Sequence, residues 1–181
     1  MASIFIGIIA CILPSLLRAQ WTPYGNTILS AFVEDACGSA AAISDSGQII
    51  AVGYPFHDLA GNNAGKVQLF SLSNGTWAFY GQALYGASSN SRAGSAVALN
   101  KSGSIVAVGS PYNASNGAQS GQVEVYQFLA NSWVQIGPDI AGEAALDQSG
   151  AAICLSDNGK CDTLYASKPH YCNLYDGFHP L

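Results

Sequence analysis

Gly94-Ser95-Ala96-Val97-Ala98-Leu99, then Asn100-Lys101-Ser102-Gly103, then Ile105-Val106-Ala107-Val108-Gly109: this stretch of the 181-residue chain decides the fold. Its first six residues are small and apolar, as in a strand packed on both faces. Four turn formers follow, with Gly103 where a positive φ is wanted. The β-branched run at 105–109 reads as a second buried strand. Residues 111–120 form a loop of Asn, Ser, Gly and Ala. Gln122-Val123-Glu124-Val125-Tyr126 alternates polar and apolar with period two, the mark of a half-exposed strand. After a turn at 129–132, Trp133-Val134-Gln135-Ile136-Gly137 is a fourth strand.

The same unit lies 56 residues earlier, and its head recurs 56 residues later. Trp21, Trp77 and Trp133 keep that step without a gap, as do Gly25, Gly81 and Gly137, and Gly38, Gly94 and Gly150. Gly47, Gly103 and Gly159 follow suit. Gly53 aligns with Gly109, Pro55 with Pro111, Val67 with Val123, and Phe70 with Tyr126. A fixed period marks a repeat architecture, and no copy shows a helical period. Four antiparallel strands per unit make a propeller blade. The expected fold is therefore all-β, with four-stranded antiparallel blades of an incomplete β-propeller. Units 21–76 and 77–132 and the partial unit 133–159 make up a blade region, 20–159. An irregular tail is expected at 160–181. The tryptophans are expected to cover the gaps between blades. Repeated residues serve the architecture first; only unrepeated ones single out a site.

The units resemble FG-GAP-type repeats, which build the propeller of integrin α-subunits and occur in many secreted microbial and algal proteins. The residues that carry the likeness are Gly38-Ser39-Ala40, Ile49-Ile50-Ala51-Val52-Gly53-Tyr54-Pro55 and Gly65-Lys66-Val67-Gln68-Leu69-Phe70. Their counterparts are Ala93-Gly94-Ser95, Ile105-Val106-Ala107-Val108-Gly109-Ser110-Pro111 and Gly121-Gln122-Val123-Glu124-Val125-Tyr126. The likeness covers 21–159, with two departures. The family often carries a calcium loop in its first hairpin, and calcium wants six to eight oxygens. Ser44-Asp45-Ser46-Gly47, Asn100-Lys101-Ser102-Gly103 and Ser156-Asp157-Asn158-Gly159 offer one carboxylate or none. Calcium is not carried over, and no metal or cofactor is expected. Secondly, a closed propeller usually needs four to eight blades. A row of blades with open ends exposes apolar faces and unpaired edges, so self-association through those edges is expected.

Charged residues are only 9% of the chain and hydrophobic ones 49%, which excludes a disordered polymer. Six Lys and Arg against a net charge of −5 leave no cationic cluster for phosphate backbones, so no nucleic acid is expected. The glycine-rich stretch 61–65 lacks the Lys-Ser/Thr of a phosphate loop. Residues 1–19 read as a secretory signal peptide cut after Ala19; their apolar run falls short of the roughly 20 residues that span a bilayer. An uncleaved anchor is the rival reading. No later stretch is long enough to span, and the expected location is secreted or extracellular. An oxidising compartment allows disulfides among Cys37, Cys154, Cys161 and Cys172, with three pairings open. Cys154 and Cys161 flank the Gly159 turn and are candidates to face each other, which would leave Cys37 with Cys172. Sequons at Asn74, Asn100 and Asn113 fall in predicted turns and are candidate glycosylation sites.

Little in the sequence points to catalysis. His57 stands beside Asp58, and its counterpart in the second copy is Asn113. His170 and His179 lie in the tail. Glu34-Asp35 precedes the first strand, where the second copy has Asn90 and Ser91, so no carboxylate pair recurs there. The loops 55–64 and 111–120 leave the same end of each blade, and loops on a rigid scaffold carry binding function. The surface they offer holds His57, Asp58, Asn62, Asn63, Tyr112 and Asn116. The reading is a secreted or cell-surface non-catalytic repeat module, or a fragment of one, that binds an extracellular protein or glycan in adhesion. The alternatives are an extracellular hydrolase using the loop or tail histidines, and an inactive truncated gene product.

Overall fold

A computed structural model describes residues 22–159 and the strands Cys161–Leu164 and Leu174–Asp176. Residues 1–19, expected to be a signal peptide, lie outside the described residues, as do Trp21, His170, Cys172 and His179. The chain is all-β: among the described residues the only helical segment is a 3₁₀ turn, Val33–Asp35. No helix there is long and apolar enough to cross a membrane.

The first sheet holds β1 (Ala41–Ile43), β2 (Ile49–Tyr54), β3 (Lys66–Ser73), β4 (Thr76–Phe79) and β5 (Leu84–Tyr85). The second repeats it with β6 (Ala96–Leu99), β7 (Ile105–Ser110), β8 (Gln122–Leu129), β9 (Ser132–Gln135) and β10 (Ile140–Ala141). All pairings are antiparallel, in the order β1-β2-β3-β4 and β6-β7-β8, with β9 and β10 both on β8. β4 and β5 lie end to end along the same edge of β3: Phe70 pairs with Phe79, and Val67 with Leu84. They are one outer strand broken at Gly81, whose φ is +74°. A Cβ there would lie 2.6 Å from the Trp133 ring. A sequence unit cut at 76 therefore severs the sheet, because each outer strand is drawn from the head of the next copy.

A third sheet reaches into the segment expected as an irregular tail. β11 (Ala152–Leu155), β12 (Cys161–Leu164) and β13 (Leu174–Asp176) pair in that order. β12 falls one repeat period after β7. The blade pattern continues past Gly159 although the V-A-V-G-x-P string has decayed.

The hairpin turns are built twice with different residues. Ser44 Oγ accepts the Ile49 N–H at 3.1 Å in the first copy. In the second, Asn100 Oδ1 accepts the N–H groups of Ser104 and Ile105, each at 2.9 Å. Either side chain supplies the acceptor that the turn needs.

Sheets stack face to face like blades. Ala51, Val67, Leu69 and Leu84 of the first pack against Ala93, Val106, Val108 and Trp133 of the second. Ala98, Ala107, Val123 and Val125 of the second meet Ile153 and Leu155 of the third. Backbones close to within contact at the inner edge. A Cβ on Gly53 would sit 2.0 Å from the Gly94 carbonyl, and one on Gly109 2.1 Å from that of Gly150. Trp133 does bridge the gap between the first two sheets: its Nε1–H donates to the Tyr80 carbonyl at 2.8 Å, and Tyr80 stacks on Phe128 with centroids 3.9 Å apart.

Candidate functional site

The two long loops are joints between sheets. Residues 62–64 accept backbone N–H groups from Asn90, Arg92 and Ala93, at 2.7, 3.1 and 2.9 Å. One period later, Ala118, Gln119 and Ser120 accept from Leu146, Gln148 and Ser149 at 2.9, 3.0 and 2.9 Å. Asn116 belongs to this joint, since its Nδ2 donates to the carbonyls of Gly142 and Glu143. Asn63 closes its own loop through Asp58 Oδ1, which accepts its N–H at 2.7 Å, and its Nδ2 donates to Asn62 Oδ1 at 2.7 Å. Tyr112 lies under the Arg92 guanidinium, 4.0 Å from ring centre to Cζ, with Phe56 at 5.1 Å on that same cation. These loop residues are largely engaged with their own chain.

His57 departs furthest from the sequence picture of a loop histidine paired with its neighbour. It is 7% exposed, while Asp58 is open to solvent. Its partner is Asp35, itself 3% exposed, whose Oδ2 lies 3.1 Å from His57 Nδ1. The Ser30 hydroxyl donates to the same oxygen. The 3₁₀ turn Val33–Asp35 brings this carboxylate inward, and the imidazole stacks on Tyr85 at 6.0 Å and 24°. Asp35 stands where the second copy has Ser91, and His57 where it has Asn113. Two coincident departures from the repeat were the available signal. Their 22-residue separation hid it.

The pair lines a cavity of about 950 Å³, together with Phe32, Val33, Glu34, Phe56, Asp58, Leu59 and Asn63. Of the surface foreseen from sequence, His57, Asp58 and Asn63 meet here; Tyr112, Asn62 and Asn116 do not line it. A carboxylate can only accept, so Asp35 fixes the proton on Nδ1. Hydroxyl, carboxylate and imidazole stand in the order Ser30–Asp35–His57. Nucleophile activation needs the hydroxyl on the imidazole instead. Among the described residues no group of three His, Cys, Asp or Glu could hold a metal ion.

A second titratable group is buried away from this cavity. Glu124 in β8 is 7% exposed, and burial, then the nearby Asp139 carboxylate, push it up to about 7. Tyr126 on the same strand is also raised, by burial first and by Glu124 next.

The predicted modification sites separate. Asn74 is exposed, but Asn100 and Asn113 are buried, and each has its side-chain oxygen committed to a turn. In the folded chain only the first of the three is open to a glycan. The β11–β12 register sets Cys154 across from Asp162 and Leu155 across from Cys161, so the two cysteines are not register partners. Cys37 is exposed, and its thiol lies beside the Tyr54 hydroxyl.

No family model matches the chain, and no curated protein matches it. Among solved structures, a candidate 6-phosphogluconolactonase from Bacteroides uniformis aligns with 75% of this chain and 38% of its own, at 17% identity and a TM-score of 0.46. The chain thus spans less than half of that structure.

Proposed function

We propose that this β-propeller repeat module is a non-catalytic binding protein of the FG-GAP kind, secreted or displayed at a cell surface, whose ligand enters the cavity beside His57. One observation carries the reading. The unrepeated Asp35–His57 pair, which no copy of the repeat demands, opens onto the roughly 950 Å³ cavity with aromatic side chains on its wall. Ligand sites are concave, mostly apolar and provided with a few fixed polar groups. The sheets give such a site a rigid base, and the order Ser30–Asp35–His57 favours recognition over attack. A second reading, a hydrolase in which His57 activates water, draws on the same Asp35 bond.

Glycan and extracellular-protein arrays probed with the full chain and with a His57→Ala/Asp58→Ala variant distinguish the two. Retention of a ligand unchanged in mass, lost in the variant, is expected. Release of a cleaved product by wild type alone would replace the first reading with the second.

A further inference from the structure

Resting on that reading, we propose that the cavity is a saccharide site in which His57 Nε2 accepts a hydroxyl hydrogen bond from a neutral sugar. With Nδ1–H held by Asp35, the neutral ring keeps its lone pair on Nε2. No partner for Nε2 is found among the described residues, although His57 is more than nine-tenths buried and lines the cavity. Nε2 itself is not one of the buried polar atoms left without a partner, so it is reached from the cavity, where a ligand hydroxyl can take the place of water. The carboxylate of Asp35 is already taken by Ser30 and His57, so the deep acceptor is uncharged. Phe32 and Phe56 supply the apolar wall on which a sugar ring's C–H face can lie. Glu34 and Asp58 are exposed at the rim as further acceptors, and their charge disfavours acidic sugars.

Two measurements test this. The first needs no ligand: ¹⁵N spectra of the imidazoles in the full chain, with His57 assigned through His57→Asn, are expected to show Nδ1 protonated and Nε2 bare. A proton on Nε2 in the neutral ring overturns the proposal. The second is calorimetric titration with cellotriose, laminaritriose, chitotriose and mannotriose, with sialyllactose and a lysine-rich peptide as contrasts. At least one neutral trisaccharide is expected to bind. His57→Asn keeps a donor for Asp35 and copies Asn113, so it preserves the fold; it is expected to weaken that sugar at least tenfold. Binding of sialyllactose or the peptide alone, binding indifferent to His57→Asn, or no neutral sugar bound at all overturns the saccharide site. A protein ligand on the arrays, with no sugar bound, would sink this inference and leave the module reading standing.

Discussion

The first sheet carries the same kind of side chain on both faces, but the two faces are covered differently. Toward the second sheet, Ala51, Val67 and Leu69 are fully covered. On the other face Val52, Tyr54 and Phe70 are buried too, under Ile28, Ile50 and Trp77 of the same sheet and its lead-in, but beside an open cleft of about 600 Å³. The repeat gives an internal control. Leu99 packs into the core between sheets, whereas its counterpart Ile43 is 59% exposed; Trp133 is 3% exposed, whereas Trp77 is only half-buried. Equivalent residues differ because a neighbouring sheet covers one and not the other. Stability in such a stack resides in nearest-neighbour contacts, and a unit alone cannot bury its faces.

The largest expected effect falls on the covered face. Leu69→Ala should cost about 2–5 kcal/mol, since a fully buried leucine leaves a cavity that the sheets cannot close. Ile43→Ala should stay within about 0.5 kcal/mol. Urea unfolding of both variants checks the pair; equal losses would break the comparison.

Next in size is Glu124, which faces the first sheet through the parity it shares with Val108 and Tyr126. Its counterpart on the open face is the neutral Gln68. The folded chain keeps the Glu124 proton up to about pH 7, whereas the unfolded chain releases it near 4.5. Between those values the folded state binds the extra proton, so stability falls as pH rises through the window. Glu124→Gln should therefore stabilise by roughly 1–3 kcal/mol at pH 8 and change little at pH 4. A uniform gain at both pH values would show that the burial of its charge is not the cause.

Trp133→Phe should cost about 1–2 kcal/mol by removing the indole bond to the Tyr80 carbonyl, which then remains without its donor. Trp77→Phe should cost less, because its ring seals no second sheet. Thermal melts of the two variants sharpen the contrast.

How far the sequence disclosed all this depends on what each feature is made of. Strands and hairpins were legible because period two and the glycines at turns are side-chain properties. β5 and β10 were not, because two residues carry no period. β12 escaped because its string had decayed while its backbone pairing had not. That the long loops also join neighbouring sheets was not legible, because those joints are largely backbone bonds that any residue can make, while His57, Asp58 and Asn63 of the first loop line the cavity as well. His57 was singled out, and its neighbour Asp58 drew attention from Asp35. The true partner came from a separate turn, which no local pattern around His57 announces.

The smallest expected change in stability sits on the open face and has the largest consequence outside the molecule. Ile43 is 59% and Phe79 75% exposed, and both stand where a preceding sheet would lie. Ile43→Ser/Phe79→Ser should lower the melting midpoint by only a few degrees, since Phe79 gives up one ring contact, with Phe70 at 5.5 Å, and Ile43 is largely exposed. Exposed apolar surface drives association in proportion to its area. Light scattering coupled to gel filtration should therefore show the wild-type chain shifting to larger species as concentration rises, and the double variant shifting less. If the wild type stays monomeric throughout, a neighbour already covers this face, and the two sides of the first sheet are more alike than the described residues make them.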